Sequence, residues 1–470
     1  MGCETIKHHC GVIAVWGEPN AAELAFHGLY SLQHRGQEAA GIVSTDGQKF
    51  YRKLGMGTVT QLFSSPETLQ SLAGHGAIGH NRYSTTGVSS EFNIQPLSAV
   101  LRDGPVAIGH NGNLVNTRKI RKRLQEDGAI FQSTTDSEII IHLMARSKGE
   151  LFRDRLLEAI QQVEGAYSIV MLSDHAIYAA RDPHGWRPLC IGERDGKYIF
   201  ASESCALDLL GYRYLRDVRP GELVIVDDDG LHSHQFAESR ETHHCIFELI
   251  YFSRPDSRFG GEYIDKFRRK MGKNLAEEYP VEADIVISVP DSSNTAAIGY
   301  SQRSEARFEI GLIRNHYVGR TFIQPTQTMR EMGVKLKFNP VGGVLKDRKV
   351  IVVEDSIVRG TTLRKLTDLL RAAGAKEVHV RVSSPPIKHP CYYGMDFPSR
   401  EELIAHTRSV EEIRTTIGVD SLGYLSVERL LDSVPHEKGQ NYCTACFTGN
   451  YPIPVNSDEE NGSKERYEDH

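Results

Sequence analysis

The stretch "KVIVVEDSIVRGTTLRKLTDLLRAAGAKEVHVRVSS", residues 349–384, reads as one complete βαβ unit. A buried apolar strand leads through a loop holding a glycine and two threonines into a helix, and a second apolar strand follows. Strands joined through a helix run parallel. "ADIVISVPDSSNTAAIGYSQRS", residues 283–304, reads as another buried strand running into a helix. A parallel sheet binds ligands beyond the carboxyl ends of its strands, where "VPDSSN" and "EDSIVRGTT" would lie. Backbone N–H groups and hydroxyls at a helix start bind phosphate, which is what Arg359, Gly360, Thr361 and Thr362 are placed to do. Glu354 and Asp355 beside them can hold hydroxyls or a Mg²⁺ ion. The loop is not a Walker A motif, lacking G-x-x-x-x-G-K-[ST]. A capped helix after a strand would look much the same.

Upstream the pattern changes. From Cys10 to about Gly230, short apolar runs alternate with Gly, Asn and Asp punctuation: "CGVIAVWG", "AAGIVSTDG", "GAIGHNRYSTTG", "PVAIGHNGNLV" and "GAYSIVMLSDHAIYAARD". This predicts antiparallel sheets, stacked on one another. "AAELAFHGLYSLQHRG" and "DSEIIIHLMARS" carry the three- and four-residue apolar spacing of helices, the second with Asp136 as its N-cap. The expected chain is α/β overall, its halves meeting within residues 231–262.

Composition bounds what such a chain can do. At 470 residues, 40% hydrophobic and 25% charged, it is an ordinary globular sequence with room for two or three domains. A net charge of −6 and the lack of a basic stripe argue against nucleic acid as a partner. The apolar runs are strand-length, short of the ~20 residues of a membrane helix. "MGCETIKHH", residues 1–9, lacks the apolar core of a secretory signal, and Ile6 stands where myristoylation wants Ser or Thr. The expected compartment is the cytoplasm. The polar end "NSDEENGSKERYEDH", residues 456–470, is expected to be disordered.

Cys10 heads an apolar strand behind that nine-residue leader. A thiol nucleophile needs a base, and cleavage before Cys10 would supply its own α-amine, with a reference pKa of about 7.7–8.0. A small buried cysteine is the plainer account of the stretch alone. Downstream come "LQHRGQEAAGI", "GHNRYSTTG", "GHNGNLVN" and "STTDSEII". In this order, with "CGVIAV", they resemble the N-terminal-nucleophile glutamine amidotransferase domain, a stacked αββα fold. The resemblance implies Cys10 as nucleophile and base through its own amine, with residues 1–9 as propeptide and the domain over 10–240. Asn111 and the Gly112 N–H become oxyanion donors. Arg35 and Arg82 can fork to the α-carboxylate of glutamine, and Asp136 can take its ammonium group.

The loop at 354–362 is similar to the phosphoribosyl pyrophosphate (PRPP) signature of type I phosphoribosyltransferases, a mostly parallel fold here placed over 241–455. It departs from the usual paired aspartates in having Glu354 first. The resemblance implies PRPP contacts at Glu354, Asp355, Ser356, Arg359, Gly360, Thr361 and Thr362, and Mg²⁺ contacts at Ser292, Glu354 and Asp355. "YVGRTFI", residues 317–323, resembles the lid that closes over PRPP in amidophosphoribosyltransferases, which adds Arg320, Arg330 and Lys337 as phosphate contacts. "YFSRPDS" at 251–257 and "VPDSS" at 289–293 also look like segments of that family.

Of the eight cysteines, Cys190 and Cys205 read as buried structural thiols, and Cys3 has no assigned role. Cys443 and Cys446 stand at C-x-x-C spacing, with Cys245 and Cys391 upstream. By spacing rules alone zinc is favoured, with His243, His244 and His389 as further donors. The resemblance instead implies the [4Fe–4S] cluster of an iron–sulfur-containing bacterial subgroup, held by Cys245, Cys391, Cys443 and Cys446.

Taken whole, residues 10–455 resemble the amidophosphoribosyltransferase family. The expected reaction forms 5-phosphoribosylamine, glutamate and pyrophosphate from glutamine, water and PRPP, the first step of purine synthesis. Purine nucleotides are expected as feedback inhibitors and a homotetramer as the assembly. Two rivals are weighed. A glucosamine-phosphate synthase would share the first domain but lacks the PRPP loop. A catalytically impaired nucleotide sensor with a structural metal would explain Glu354, but not the full glutaminase set.

Overall fold

The computed structural model describes residues 10–83, 91–237, 241–315, 337–395, 397, 399–435 and 441–454. The leader, the "YVGRTFI" segment with Arg320, Arg330 and the polar end at 456–470 lie outside them.

Thirteen strands build the first half: β1 (Gly11–Trp16), β2 (Ala39–Thr45), β3 (Phe50–Met56), β4 (Gly76–Arg82), β5 (Leu97–Leu101), β6 (Gly104–Leu114), β7 (Gly165–Leu172), β8 (Ile177–Arg181), β9 (Cys190–Arg194), β10 (Lys197–Ala201), β11 (Arg213–Asp217), β12 (Glu222–Asp227) and β13 (Gly230–Gln235). They form a seven-stranded sheet, β11-β9-β10-β1-β4-β2-β3, and a six-stranded sheet, β13-β12-β8-β7-β6-β5. Their pairings are antiparallel.

β1 shows why these sheets stack. All six of its residues are buried. Strand side chains alternate in direction, so Val12, Ala14 and Trp16 enter a core shared with Ala107 and Val170 of the other sheet. Ile13 and Val15 face the opposite way, onto Ala25 and Leu29 of the helix Ala21–Ser31. Helices Thr117–Glu126, Ser137–Arg146 and Phe152–Ile160 cover the outer face of the second sheet through Leu124, Ile140 and Leu156. The result is four layers, αββα. Asp136 holds the N-cap position of Ser137–Arg146, but its side chain makes no capping bond. It reaches instead across to the Leu114 N–H, 3.0 Å away.

The second half holds a five-stranded sheet in the order Arg307–Phe308, Ile285–Ser288, Lys349–Glu354, Glu377–Val382, Ser421–Tyr424, all parallel. Residues 349–382 form the expected βαβ unit, with the helix at Thr361–Ala372. Ile351 and Val353 pack on Met271 and Tyr300 of the helices Ile264–Glu278 and Asn294–Arg303. Val350 and Val352 pack the other way, on Leu366 and on Ile413 of the helix Val410–Ile417.

Segment 243–248 joins the halves. The Cys245 N–H donates to Trp186 O at 3.1 Å and the His243 N–H to His184 O at 2.8 Å. Among the described residues no helix is long and apolar enough to cross a membrane.

Candidate active site

Gly11 of β1 faces Asn81 of β4 across the sheet, which sets Arg82 beside Cys10. Cys10 is buried, with Sγ 3.9 Å from the Tyr83 carbonyl oxygen. Burial pushes its thiol pKa up; the Tyr83 bond and the nearby Arg82 charge offset only part of this. Such a thiol stays protonated near neutral pH, and a carbonyl oxygen cannot take its proton. Activation therefore calls for a base very close by.

Asn111 and Gly112 lie on β6, in the facing sheet. His80 of β4 bridges the sheets, its Nε2 lying 3.1 Å from His110 O. Asn111 is fully buried, yet neither its amide nitrogen nor its amide oxygen has a hydrogen-bond partner. An unpaired buried amide costs about 1–3 kcal/mol, so this one suits a ligand that brings the missing partner. Gly112 has φ of 152°, and a Cβ there would stand 2.0 Å from Ala166 O. Only glycine fits.

Asp136 is buried beside them, its Oδ1 lying 3.4 Å from His110 Nδ1. Burial would raise its pKa, but His110 and the Leu114 N–H outweigh that and keep it low. Arg82 is buried 3.8 Å from Glu38. Both groups lie close enough to Cys10 to act on its thiol.

Arg35 requires a correction. It is wholly buried, ion-paired to Glu203 and to Glu248, and its Nε donates to the Cys10 carbonyl at 3.1 Å. A guanidinium so engaged has no fork left for a substrate carboxylate. It anchors the Cys10 backbone.

Glu203, Glu248 and Arg187 escaped the sequence reading. The usable signal was a charge inside an apolar run, as Glu248 is in "HHCIFELIYF", because such a charge is buried with a partner.

In the parallel sheet, Ser288 pairs in register with Val353, which sets the two loops side by side. Ser292 Oγ donates to Asp355 Oδ2 at 2.6 Å, and Ser293 Oγ to Glu354 Oε1 at 3.2 Å. Ser356 Oγ donates to the other Asp355 oxygen at 2.5 Å. Burial, then the Asp355 charge, pushes the Glu354 pKa up. Burial also raises Asp355, against the hydrogen bonds from Ser292 and Ser356. Two crowded carboxylates ringed by hydroxyls form a hard oxygen donor set, and a divalent cation of the Mg²⁺ type would relieve their repulsion.

Gly360 precedes the helix Thr361–Ala372 at φ of 80°. Arg359 turns its side chain to Glu402, at 2.8 Å, leaving its backbone to the loop. Lys337 precedes the short strand Phe338–Pro340, its Nζ 5.6 Å from the Phe338 ring centre.

Cys245 and Cys443 face one another where His244–Cys245 pairs in parallel with Tyr442–Cys443. Cys391 Sγ accepts the N–H groups of Tyr393 and Met395, both at 3.4 Å. The Cys446 carbonyl accepts those of Lys388 and His389. Burial first, and then mutual repulsion, raises the pKa of Cys446 and lifts Cys443 to about 12. All four cysteines are free of disulfides.

Among the described residues no three His, Cys, Asp or Glu close on a point as ligands of one ion. His244 is engaged elsewhere, with Nδ1 2.7 Å from Gly185 O. Cys190 and Cys205 are buried in the first domain, as expected.

Residues 80–209 match the glutamine amidotransferase domain family and residues 262–396 the phosphoribosyl transferase domain family. The amidophosphoribosyltransferase of Bacillus subtilis (strain 168) is 47% identical over 457 residues, covering 96% of each chain. A solved structure of the allosteric regulatory enzyme of purine biosynthesis superposes with a TM-score of 0.91 at 47% identity, covering 96% of this chain and 97% of its own. The B. subtilis glutamine PRPP amidotransferase complexed with ADP and GMP gives 0.90 at 46% identity, covering 96% and 98%.

Proposed function

The chain belongs to the amidophosphoribosyltransferase family, and from that premise we propose how its residues divide the reaction. It is a glycosyltransferase of purine biosynthesis that makes 5-phosphoribosylamine from glutamine and PRPP. The relatives give no support to the impaired sensor.

In this reading removal of residues 1–9 frees the Cys10 amine, which takes the thiol proton as Sγ attacks the amide carbon of glutamine. The Asn111 amide N–H and the Gly112 N–H receive the oxyanion. Arg82 and Asp136 hold the α-carboxylate and α-ammonium. The protonated amine returns its proton to the departing ammonia, and water then clears the glutamyl thioester. The observation that carries this half is Asn111, buried and without a partner, on the strand facing the nucleophile's sheet.

In the second half the N–H groups of residues 359–362 cradle the 5-phosphate, and Glu354 and Asp355 hold the ribose hydroxyls. Bound Mg²⁺, reached by Ser292, Glu354 and Asp355, would neutralise charge on the pyrophosphate leaving group. Ammonia arrives at C1 as pyrophosphate departs.

Cys245, Cys391, Cys443 and Cys446 suit a [4Fe–4S] cluster that ties segments 243–245, 388–395 and 441–447 together and takes no part in the transfer. Purine nucleotide feedback, in line with the relative that binds ADP and GMP, a homotetramer and a cytoplasmic setting complete the reading.

Cys10→Ala tests it. Glutamine-dependent product should vanish while ammonia-dependent product persists, and loss of both would overturn the assignment. Glutamate release should also rise strongly when PRPP and Mg²⁺ are added to anaerobically purified enzyme.

A further inference from the structure

Glu248 belongs to the segment that enters the second half of the chain, yet its carboxylate faces the glutaminase site. It is 2% exposed, inside the run Ile246–Phe252 that packs in the core of the second half. Two arginines from the first half converge on it. Arg35 NH2 donates to Oε1 at 2.8 Å and NH1 to Oε2 at 3.1 Å. Arg187 NH1 donates to Oε1 at 3.2 Å. Ser253 Oγ completes the set at 2.8 Å. Burial would raise the pKa of Glu248, but Arg35 and then Arg187 outweigh it and keep the group ionised.

Each arginine also holds a backbone carbonyl, one at Cys10 and the other in a loop beside the Asn111–Gly112 strand. Arg35 Nε holds the Cys10 carbonyl at 3.1 Å. Arg187 NH2 holds Tyr393 O at 2.7 Å, in the loop Cys391–Met395. That loop lies on the oxyanion strand. Tyr392 O accepts from Asn113 Nδ2 at 2.8 Å, and a Cβ on Gly394 would stand 3.2 Å from the Gly112 carbonyl carbon. One carboxylate thus braces the nucleophile on one side and the oxyanion donors on the other.

We propose that Glu248 is a positioning residue for glutamine hydrolysis, fixing Cys10 and the Asn111–Gly112 strand relative to each other through Arg35 and Arg187. This rests on the glutaminase reading above. Both arginines and Glu248 are buried and act through the groups they hold. In this buried charge network, removing the Glu248 charge takes away the ion pair of Arg187 and leaves Arg35 paired to Glu203 alone, so the two arginines are no longer tied to each other.

The test is Glu248→Gln in the full-length, processed enzyme, assayed with glutamine and, separately, with ammonia. The glutamine-dependent kcat should fall about 10–100-fold with KM for glutamine changed less than about threefold, because a misplacement near 1 Å acts on the transition state. Ammonia-dependent turnover should stay within about twofold of wild type. Glu248→Asp should recover part of the kcat.

Equal loss with both nitrogen donors, or a loss confined to KM, would overturn the proposal. So would full glutamine activity in Glu248→Gln. Should that variant fail to fold, Arg35→Lys keeps the charge while withdrawing the Nε bond to Cys10, and must show the same kcat-selective loss. Wild-type turnover with glutamine is measured alongside; its absence would refute the glutaminase reading rather than the bracing role.

Discussion

Asn111 and Gly112 are neighbours on β6 with different dependencies. The Asn111 amide makes no hydrogen bond, so Asn111→Ala should leave thermal stability nearly unchanged while kcat with glutamine falls about 10²–10³-fold. Gly112→Ala should strike stability first and, through the displaced N–H, activity as well. With φ of 152° and an oxygen 2.0 Å from the new Cβ, it should cost about 3 kcal/mol or more, seen as a lowered midpoint in calorimetry. Glu354 and Asp355 make a prediction in pH. Burial raises the pKa values of both, so the proposed cation would displace a proton on binding. Mg²⁺ with PRPP should bind more tightly as pH rises through the pair's titration, with net proton release when titrated in buffers of different ionisation enthalpy. At this scale a residue's type was legible in the sequence and its engagement was not. Arg35 sits in a segment that suits a substrate clamp, but its partners Glu203 and Glu248 lie 168 and 213 residues away. Nothing near it in the chain reports that.

Among the elements, the helix Ser137–Arg146 shows how a start signal can be diverted. Asp136 stands at the cap but bonds to Leu114, and Glu138 instead gathers the preceding loop, accepting Gln132 N–H, Ser133 N–H and Ser133 Oγ at 2.7–2.8 Å. Burial opposes ionisation of Glu138, but His142 and these donors outweigh it and bring its pKa down to about 2. A carboxylate depressed in the fold stabilises above its unfolded pKa and loses that contribution as pH falls through the folded one. Glu138→Gln should therefore cost about 1–2 kcal/mol near pH 7, since solvent screens part of the interaction. The gap from wild type should close between about pH 4.3 and 2 in denaturant titrations. The strands at β1, β2, β4, β6, β7 and β8 were legible because alternation or a continuous apolar run marks a buried strand. Exposed elements such as β3 and β11, and the polar helix Thr117–Glu126, carry a weaker contrast and were missed.

For the molecule as a whole, the four thiols and Glu248 lie at one seam between the halves. If these thiols hold the proposed cluster, Cys443→Ala should remove it and loosen that seam, lowering the unfolding midpoint by about 5 °C or more in anaerobically prepared protein. Elemental analysis of the wild type decides between iron and zinc. Finding neither metal would refute the cluster assignment.

What the sequence determined by itself was the order of the motifs and the antiparallel-sheet and parallel-sheet halves, because periodicity and turn chemistry act between residues a few positions apart. Only the tertiary structure decided which charges are paired inside the fold. Burial and ion pairing depend on distance in space, and one carboxylate at position 248 can neutralise an arginine at 35 only after the chain has folded back over both.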